Sequence, residues 1–309
     1  MVRSWYRCGR EGSAASRCCP GKERGVSLWS RRGASPYPSS MDAAVIIVGD
    51  EILSGHVRDA NAHFISSRLS ALGHRLRRIS IVGDEPQGIA EVVVREAEAP
   101  DVGIVFICGG LGPTHDDRTM EALAQALGLP LVPCPPMAER IEGIAERMRG
   151  EGFAGDPLGL EGLRKMALAP EGAQMLECSS GWVPAVALDY GGRPVVVLPG
   201  PPRQVEMVFH DAVEPLYLAE TGVRMHREEV EHNFPESALA ATLVELEEQL
   251  PQIRIGSYPL DDRVLIRIAG DEGSARKAAA ILRERIEELE RSDDGKRLLE
   301  FFHKRRRPR

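Results

Sequence analysis

Short apolar runs alternate with amphipathic stretches from Met41 onward. Residues 42–50, "DAAVIIVGD", form a continuous run rich in β-branched side chains, the mark of a strand buried on both faces. Over 59–73, "DANAHFISSRLSALG", Phe64, Ile65, Leu69 and Leu72 recur at helical spacing, and Gly73 supplies a stop. The pairing repeats twice more: strand 76–84 with a helix over 86–99 opened by Pro86, then strand 101–110 with a helix over 116–128 closed by Gly128. This rhythm predicts βαβ units, and hence an α/β domain with a parallel sheet covered by helices on both faces.

Beyond the amphipathic stretch 135–152 the pattern loosens through a Gly/Leu-rich loop to 163–176. Apolar runs at 183–190 and 193–200 flank Gly191-Gly192, a hairpin signal, and 201–220 reads as a helix with proline at its start. From about Val223 the order changes to strand 223–234, helix 235–250, strands 253–260 and 262–270, and helix 274–292. This β-α-β-β-α order predicts a small α+β accessory or dimerisation domain. It resembles an RNA-binding KH domain in order alone, since it lacks the GXXG clamp and its acidic helices would repel phosphate. The expected divisions are a main domain over 41–220, the small domain over 221–292, and a tail over 293–309 whose basic end, "KRRRPR", reads as solvated.

The first forty residues fit neither pattern. They are rich in Gly, Ser, Arg and Pro, and carry eight Lys/Arg against two Glu, a net of +6. With −7 for the whole chain, the remainder is −7 − 6 = −13. The expected reading is a mis-called start with Met41 as the true first residue, or a disordered extension; a basic arm for a polyanion is the alternative. An acidic body argues against nucleic acid as the main partner. No run approaches the roughly 18 apolar residues of a membrane span, and the start lacks the apolar stretch of a secretory signal, so a cytoplasmic protein is expected. Cys8, Cys18 and Cys19 lack zinc-site spacing, and Cys108, Cys134 and Cys178 read as reduced thiols.

In a doubly wound sheet, ligands bind beyond the carboxyl ends of the strands. Three loops leave such ends here: "VGDEILSG" (48–55), "CGGLGPTHDD" (108–117) and "LPGPP" (198–202). Gly109, Gly110 and Gly112 precede a helix, so backbone N–H groups could hold an anion there. The loop is neither a Walker A sequence nor the G-x-G-x-x-G fingerprint. Asp116 and Asp117 follow it directly, and Asp50-Glu51 stands at the equivalent end of the first strand. A capping box, Thr114-x-x-Asp117, accounts for one pair and not for both. Carboxylates repel phosphate unless a cation lies between them, so a phosphorylated ligand bound through a divalent metal resolves the conflict. The alternative is that an aspartate meets amino or hydroxyl groups of the ligand while the amides meet its phosphate.

The combination "VGDEILSGHVRDAN", "ICGGLGPTHDDRT" and "LPGPPRQVEMVF" resembles the molybdopterin-binding domain shared by molybdenum-cofactor biosynthesis proteins of the MoaB/Mog type and the competence/damage-inducible CinA proteins. "KMALAPEGAQML", "FPESALAATL" and "IRIGSYP" favour the CinA-like branch, and the resemblance spans about residues 43–290. It implies a three-layer α/β/α domain with a mainly parallel sheet, binding a pterin or nucleotide phosphate. Cofactor-synthesis relatives adenylylate molybdopterin; CinA-like relatives hydrolyse pyrophosphate bonds of ADP-ribose- or FAD-type compounds with a divalent metal (Mg, Mn or Co). Asp50 and Asp117 match the two acidic motif positions and are the expected catalytic and metal-holding pair. Gly49, Glu51 and Asn61 accompany the first motif; Gly109, Gly110 and Gly112 match the phosphate-binding turn. Thr114, His115, Asp116 and Thr119 complete the second motif as ligand contacts, with Lys165, Pro199 and Gly200 from later segments. The ligand is expected to be a small phosphorylated molecule, with molybdopterin itself a candidate, and the protein a homo-oligomer.

Full-length CinA proteins continue into an amidase domain; this chain ends first, so that activity is not expected. Relatives often read Lys-Gln-Ala where Lys165-Met166-Ala167 stands, and an Asn followed by Gly-Thr-Ala-Pro-Gly where this chain has "CSSGWVPAV", with Cys178, Trp182 and Val183 altering the loop. The altered loop makes a non-catalytic binder of molybdopterin or a nucleotide the second reading, and a molybdopterin adenylyltransferase the third. His56, His63, His74 and His115 lack common metal-ligand spacing; His115 alone is a candidate for phosphate contact. Ser237 reads as helix-start chemistry.

Overall fold

Alternate residues of the central strands point to opposite faces, and this sorts the apolar runs into two cores. The computed structural model describes residues 41–153, 159–176, 183–218 and 225–305. The first forty residues, Cys178 and Trp182 of the altered loop, the expected boundary at Glu220 and the last four residues lie outside the described ones.

In chain order the structure gives β1 (Asp42–Val48), α1 (Asp50–Leu53), α2 (Asn61–Ala71), β2 (Arg75–Val82), α3 (Pro86–Glu98), β3 (Ile104–Cys108) and α4 (Thr119–Leu127). It continues with β4 (Leu131–Pro133), α5 (Pro135–Gly150), α6 (Leu160–Lys165), β5 (Leu168–Pro170), β6 (Gln174–Leu176), β7 (Ala185–Tyr190), β8 (Arg193–Leu198) and α7 (Pro202–Val208). The main sheet runs β2-β1-β3-β8-β7-β6. Its first four strands are parallel; β7 is added antiparallel to β8 through the turn at Gly191-Gly192, and β6 lies antiparallel to β7. Val45, Ile47, Phe106, Val196 and Leu198 face one layer, against Ile65 and Leu69 of α2 and Val205 and Val208 of α7. Ala44, Ile46, Val105, Ile107, Val195 and Val197 face the other, against Ile89 and Val93 of α3 and Ala122 and Leu123 of α4. The strands read as unbroken apolar runs because both faces are covered.

The helix expected over 201–220 is interrupted. After α7 the chain widens into a π-helical stretch, Phe209–Leu218, with Pro215 inside it. Proline lacks the N–H of a regular i→i−4 ladder and its ring crowds the preceding turn, which accounts for the change. Phe209 packs edge-on to Phe64 at 5.6 Å and against Phe106 at 5.5 Å between ring centroids.

A separate three-stranded antiparallel sheet, in the order β10 (Arg254–Pro259), β11 (Val264–Gly270), β9 (His226–His232), carries its own core. Helices α8 (Ala240–Gln249) and α9 (Glu272–Arg291) cover it, burying Leu246, Ala275, Ala278, Leu282 and Ile286 with Val230, Ile266 and Ile268. The 293–309 segment is not simply a tail: Asp293–Arg305 forms α10, and Leu298 and Leu299 pack against the same core. Among the described residues no helix is long and apolar enough to cross a membrane.

Glu96 of α3 pins the edge strand β2. Its carboxylate is fully buried and accepts hydrogen bonds from Arg78 at 2.7 Å and Arg95 at 2.8 Å. Burial pushes its pKa up, but the two guanidinium groups outweigh burial and hold it below the ordinary 4.5. A depressed carboxylate contributes stability above its unfolded pKa and loses it as pH falls through the folded value. Glu96→Gln is therefore expected to lose about 2 kcal/mol in urea unfolding at pH 7. The gap to the parent protein should narrow as pH drops below the ordinary carboxylate value, and a pH-independent gap would refute the ionic contribution.

Candidate functional site

The C-terminal ends of β1, β3 and β8 open onto a cleft of about 410 Å³. Its floor comes from Ile47, Val48 and Cys108, and its walls from the three loops that leave those strands, with Asn61 and Gly200 facing it from α2 and the loop after β8. The loop after β3 fits tightly into this junction. Gly109 and Gly110 adopt φ of 104° and 68°, backbone that side chains rarely take. A Cβ on Gly109 would collide with the Val48 carbonyl, and one on Gly110 with the Thr119 hydroxyl. Gly109 N–H donates to the Leu198 carbonyl at 3.2 Å, and the Thr119 hydroxyl donates to the Gly109 carbonyl at 2.8 Å. Thr119, expected as a ligand contact, is fully buried and braces the loop from behind.

The next three N–H groups, of Gly110, Leu111 and Gly112, make no hydrogen bond among the described residues, and all three residues line the cleft. Successive free backbone N–H groups in a turn make an anion-binding concavity. Beside them stands an acidic wall. The Thr114 hydroxyl lies 2.5 Å from Asp116 Oδ1 and 2.5 Å from Asp117 Oδ2, and Asp117 Oδ2 also accepts from Thr114 N–H at 2.8 Å. One hydroxyl proton cannot serve two carboxylates at once. The Thr114 hydrogen bond holds the Asp116 pKa below its ordinary value. Residues 113–118 are non-helical and α4 begins at Thr119, so the pair does not sit in a first helical turn as a capping box would require. Lys165 Nζ donates to the Thr114 carbonyl at 2.5 Å.

Glu51 and Asp84 also line the cleft. Asp50, expected to share an ion with Asp117, is not among the lining residues: its carboxylate lies over Gly83 and its N–H donates to Asp84 Oδ2 at 3.0 Å. Burial raises the Asp84 pKa, opposed by that N–H and reinforced by the charges of Asp50, Glu51 and Asp116. Asp84 escaped the sequence reading, although the triplet Val-Gly-Asp ends both β1 and β2 (48–50 and 82–84) and marks equivalent strand ends. Arg58 and Asp59 were missed as well; Asp59 accepts from the N–H groups of Asn61 and Ala62 at 3.1 Å each and so caps α2. Asn61 Nδ2 ties α2 to the Gly200 carbonyl at 2.8 Å. Gly49 lines the cleft as expected, whereas Pro199 gives way to Pro201 and Pro202. His115 points into solvent, its side chain 99% exposed. The Cys108 thiol is buried and its pKa is pushed up by burial, which leaves it inert as a nucleophile. Among the described residues, no three His, Cys, Asp or Glu side chains gather as a ready-made metal site.

Fold and cleft together define an α/β/α domain built to take a small ligand at its strand ends. The chain belongs to the family described as "Probable molybdopterin binding domain", which it matches over residues 44–219, and it is a CinA-like member of that family. It is 40% identical over 255 residues to protein TK1472 of Thermococcus kodakarensis, covering 81% of this chain and 99% of that protein. A CinA-like protein of Mycobacterium avium is 39% identical over 227 residues, 69% of this chain and 51% of the relative, so the chain spans about half the length of that relative. Among solved structures, the CinA protein of Thermoplasma acidophilum, described as of unknown function, is 30% identical with a TM-score of 0.49, covering 58% of this chain and 99% of that one.

Two glycines separate backbone strain from loop packing. Gly128, at φ 64°, has open space around it, whereas Gly110 at φ 68° faces Thr119. Gly128→Ala is expected to cost about 1 kcal/mol, the left-handed penalty alone. Gly110→Ala should cost at least about 2 kcal/mol, because the Thr119 brace must also move. Equal losses in urea unfolding would show that the loop yields freely.

Proposed function

We propose that this protein is a metal-dependent pyrophosphatase acting on a nucleotide diphosphate of the ADP-ribose or FAD type. The observation that carries the reading is the run of three free N–H groups at 110–112 beside two carboxylates converging on the Thr114 hydroxyl. Backbone amides suit phosphate oxygens, and adjacent carboxylates tolerate phosphate when a cation stands between them. Asp116 and Asp117 fit a divalent cation by donor chemistry, being hard oxygen ligands on one turn. Asp50 stands outside the cleft lining, so the ion-holding role proposed for it passes to Asp116, with Asp117 retained. When bound, the metal supplies charge neutralisation and a more acidic water.

The chain's own groups do the rest. The 110–112 amides orient the phosphates, Lys165 adds a positive charge at the Thr114 end of the loop, and the buried floor of Ile47, Val48 and Cys108 excludes bulk water from below. In the reaction, water oxygen bonds to one phosphorus, the bond from that phosphorus to the bridging oxygen breaks, and AMP and ribose 5-phosphate leave with the water protons released. A second reading, binding of molybdopterin without turnover, is favoured by the family description.

The test is AMP release from ADP-ribose with Mg²⁺, Mn²⁺ or Co²⁺. Asp117→Asn keeps an acceptor for Thr114 N–H and should leave thermal stability nearly unchanged, while turnover falls roughly a hundredfold or more. Unchanged turnover would remove Asp117 from the site. No AMP release from folded parent protein would move the assignment to the binding reading.

A further inference from the structure

The main sheet has two edges, and they differ. β6 is only three residues long, whereas β2 runs for eight with no neighbour on its outer side among the described residues. An open edge is a template for another strand unless shortness, charge, proline or a bulge blunts it. β2 carries such devices only at its start. Its register against β1 shifts between Leu76 and Arg78, Arg77 pairs with Asp42, and Arg78 pairs with Glu96 and Asp101. From Ile79 to Val82 the edge is regular and uncharged.

The Val82 carbonyl accepts from Gly49 N–H, so it points toward the β1 side. Alternation along a strand then turns the N–H and C=O groups of Ile79 and Ile81 outward. Their side chains lie beside Val45 and Ile47 on the α2 layer but beyond its cover, 49% and 43% exposed. Leu53 of α1, 56% exposed, extends this apolar strip, its Cδ1 3.7 Å from where a Cβ on Gly83 would stand.

This edge matches itself. With a second β2 laid antiparallel about a two-fold axis at Ser80, Ile79 of each copy stands opposite Ile81 of the other. Both residues turn their backbone groups to the junction, so each pair exchanges both of its hydrogen bonds, and the isoleucines of the two copies gather on one face. The same register sets Arg75 against Glu85 of the other copy. Both are exposed, and neither belongs to an ion pair among the described residues. Sliding by one residue turns outward backbone groups against inward ones. Sliding by two restores the hydrogen bonds but splits the isoleucine pairs and parts Arg75 from Glu85.

We infer that β2 pairs antiparallel with β2 of a second copy of this chain about an axis at Ser80, joining two main sheets edge to edge. The paired stretch is short, so the dimer should dissociate in the micromolar range, at about 1 to 50 μM.

Sedimentation velocity of the full chain tests this, over about 1 to 200 μM, with monomer expected at the low end and dimer at the high end. Ile81→Lys sets a charge against Ile79 of the other copy and should weaken the dimer at least about tenfold. Val244→Lys, on the exposed side of α8, should leave it unchanged. Arg75→Glu and Glu85→Arg each place like charges across the junction, and each alone should weaken it about fivefold. Mixed in equal amounts, those two variants should form a heterodimer within about twofold of the parent affinity. A misfolded variant would not be restored by mixing, so recovery reads the register itself. The inference is overturned if the parent stays monomeric at about 200 μM, if Ile81→Lys dimerises equally well, or if the mixture associates no better than its components. A monomeric parent with slowly exchanging Ile79 and Ile81 amides would also overturn it, and would name another part of this chain as the cover of the edge.

Discussion

The Gly109 backbone runs against the Val48 carbonyl with no room for a β-carbon, and the arrangement of the cleft follows from that contact. Three parallel strands end at this point, and the chain leaving the middle one must turn while its neighbours hold it on both sides. The hydrogen bond to Leu198 fixes one side, the Val48 carbonyl closes the other, and the buried Thr119 hydroxyl holds the turn from below. With the carbonyl of Gly109 engaged, the three following N–H groups are left free at the cleft. The row of free N–H groups is therefore a product of strand packing, set before any ligand arrives.

Charge in the cleft is organised by the same backbone. The two Val-Gly-Asp strand ends lace together through Gly49 N–H to the Val82 carbonyl, at 3.0 Å, and Asp50 N–H to Asp84. That lacing turns the Asp50 carboxylate onto Gly83 and leaves Glu51 and Asp84 on the cleft side. Carboxyls on the two sides of the cleft then diverge: burial lifts the affinity of Asp84 for a proton, while the Thr114 hydrogen bond lowers that of Asp116. Oppositely perturbed acids in one crevice are a common preparation for handling both a cation and a proton.

The sheet and its two cores were legible in the sequence because unbroken β-branched runs and helical spacing leave little alternative when both faces of a strand are covered. The glycine loop was legible as a strand-end turn because three glycines within four positions mark a close backbone approach, which Gly109 makes against the Val48 carbonyl. What escaped was short or depended on tertiary direction. The first turn of α1 reorients Asp50 although nothing in "VGDEIL" announces it, and the three-residue strands β4 and β5 are too short to carry a period. Thr119 and Asp117 look alike as polar residues of one motif in the sequence, yet one is fully buried and the other lines the cleft. Pro215 was read inside one continuous helix over 201–220, and neither the break nor the widened turns that follow it were expected.

The β4–β5 ribbon pairs only with itself and lies outside the main sheet's hydrogen-bond ladder. Its side chains, together with Met166, furnish much of the apolar wall beside the glycine loop. Substitutions there leave the strand junction untouched, so the ribbon is mechanically insulated from the part that must stay fixed. Descendants of one ancestral scaffold can drift in this ribbon while inheriting the same strand junction, and divergence among relatives should concentrate in the ribbon and its neighbours.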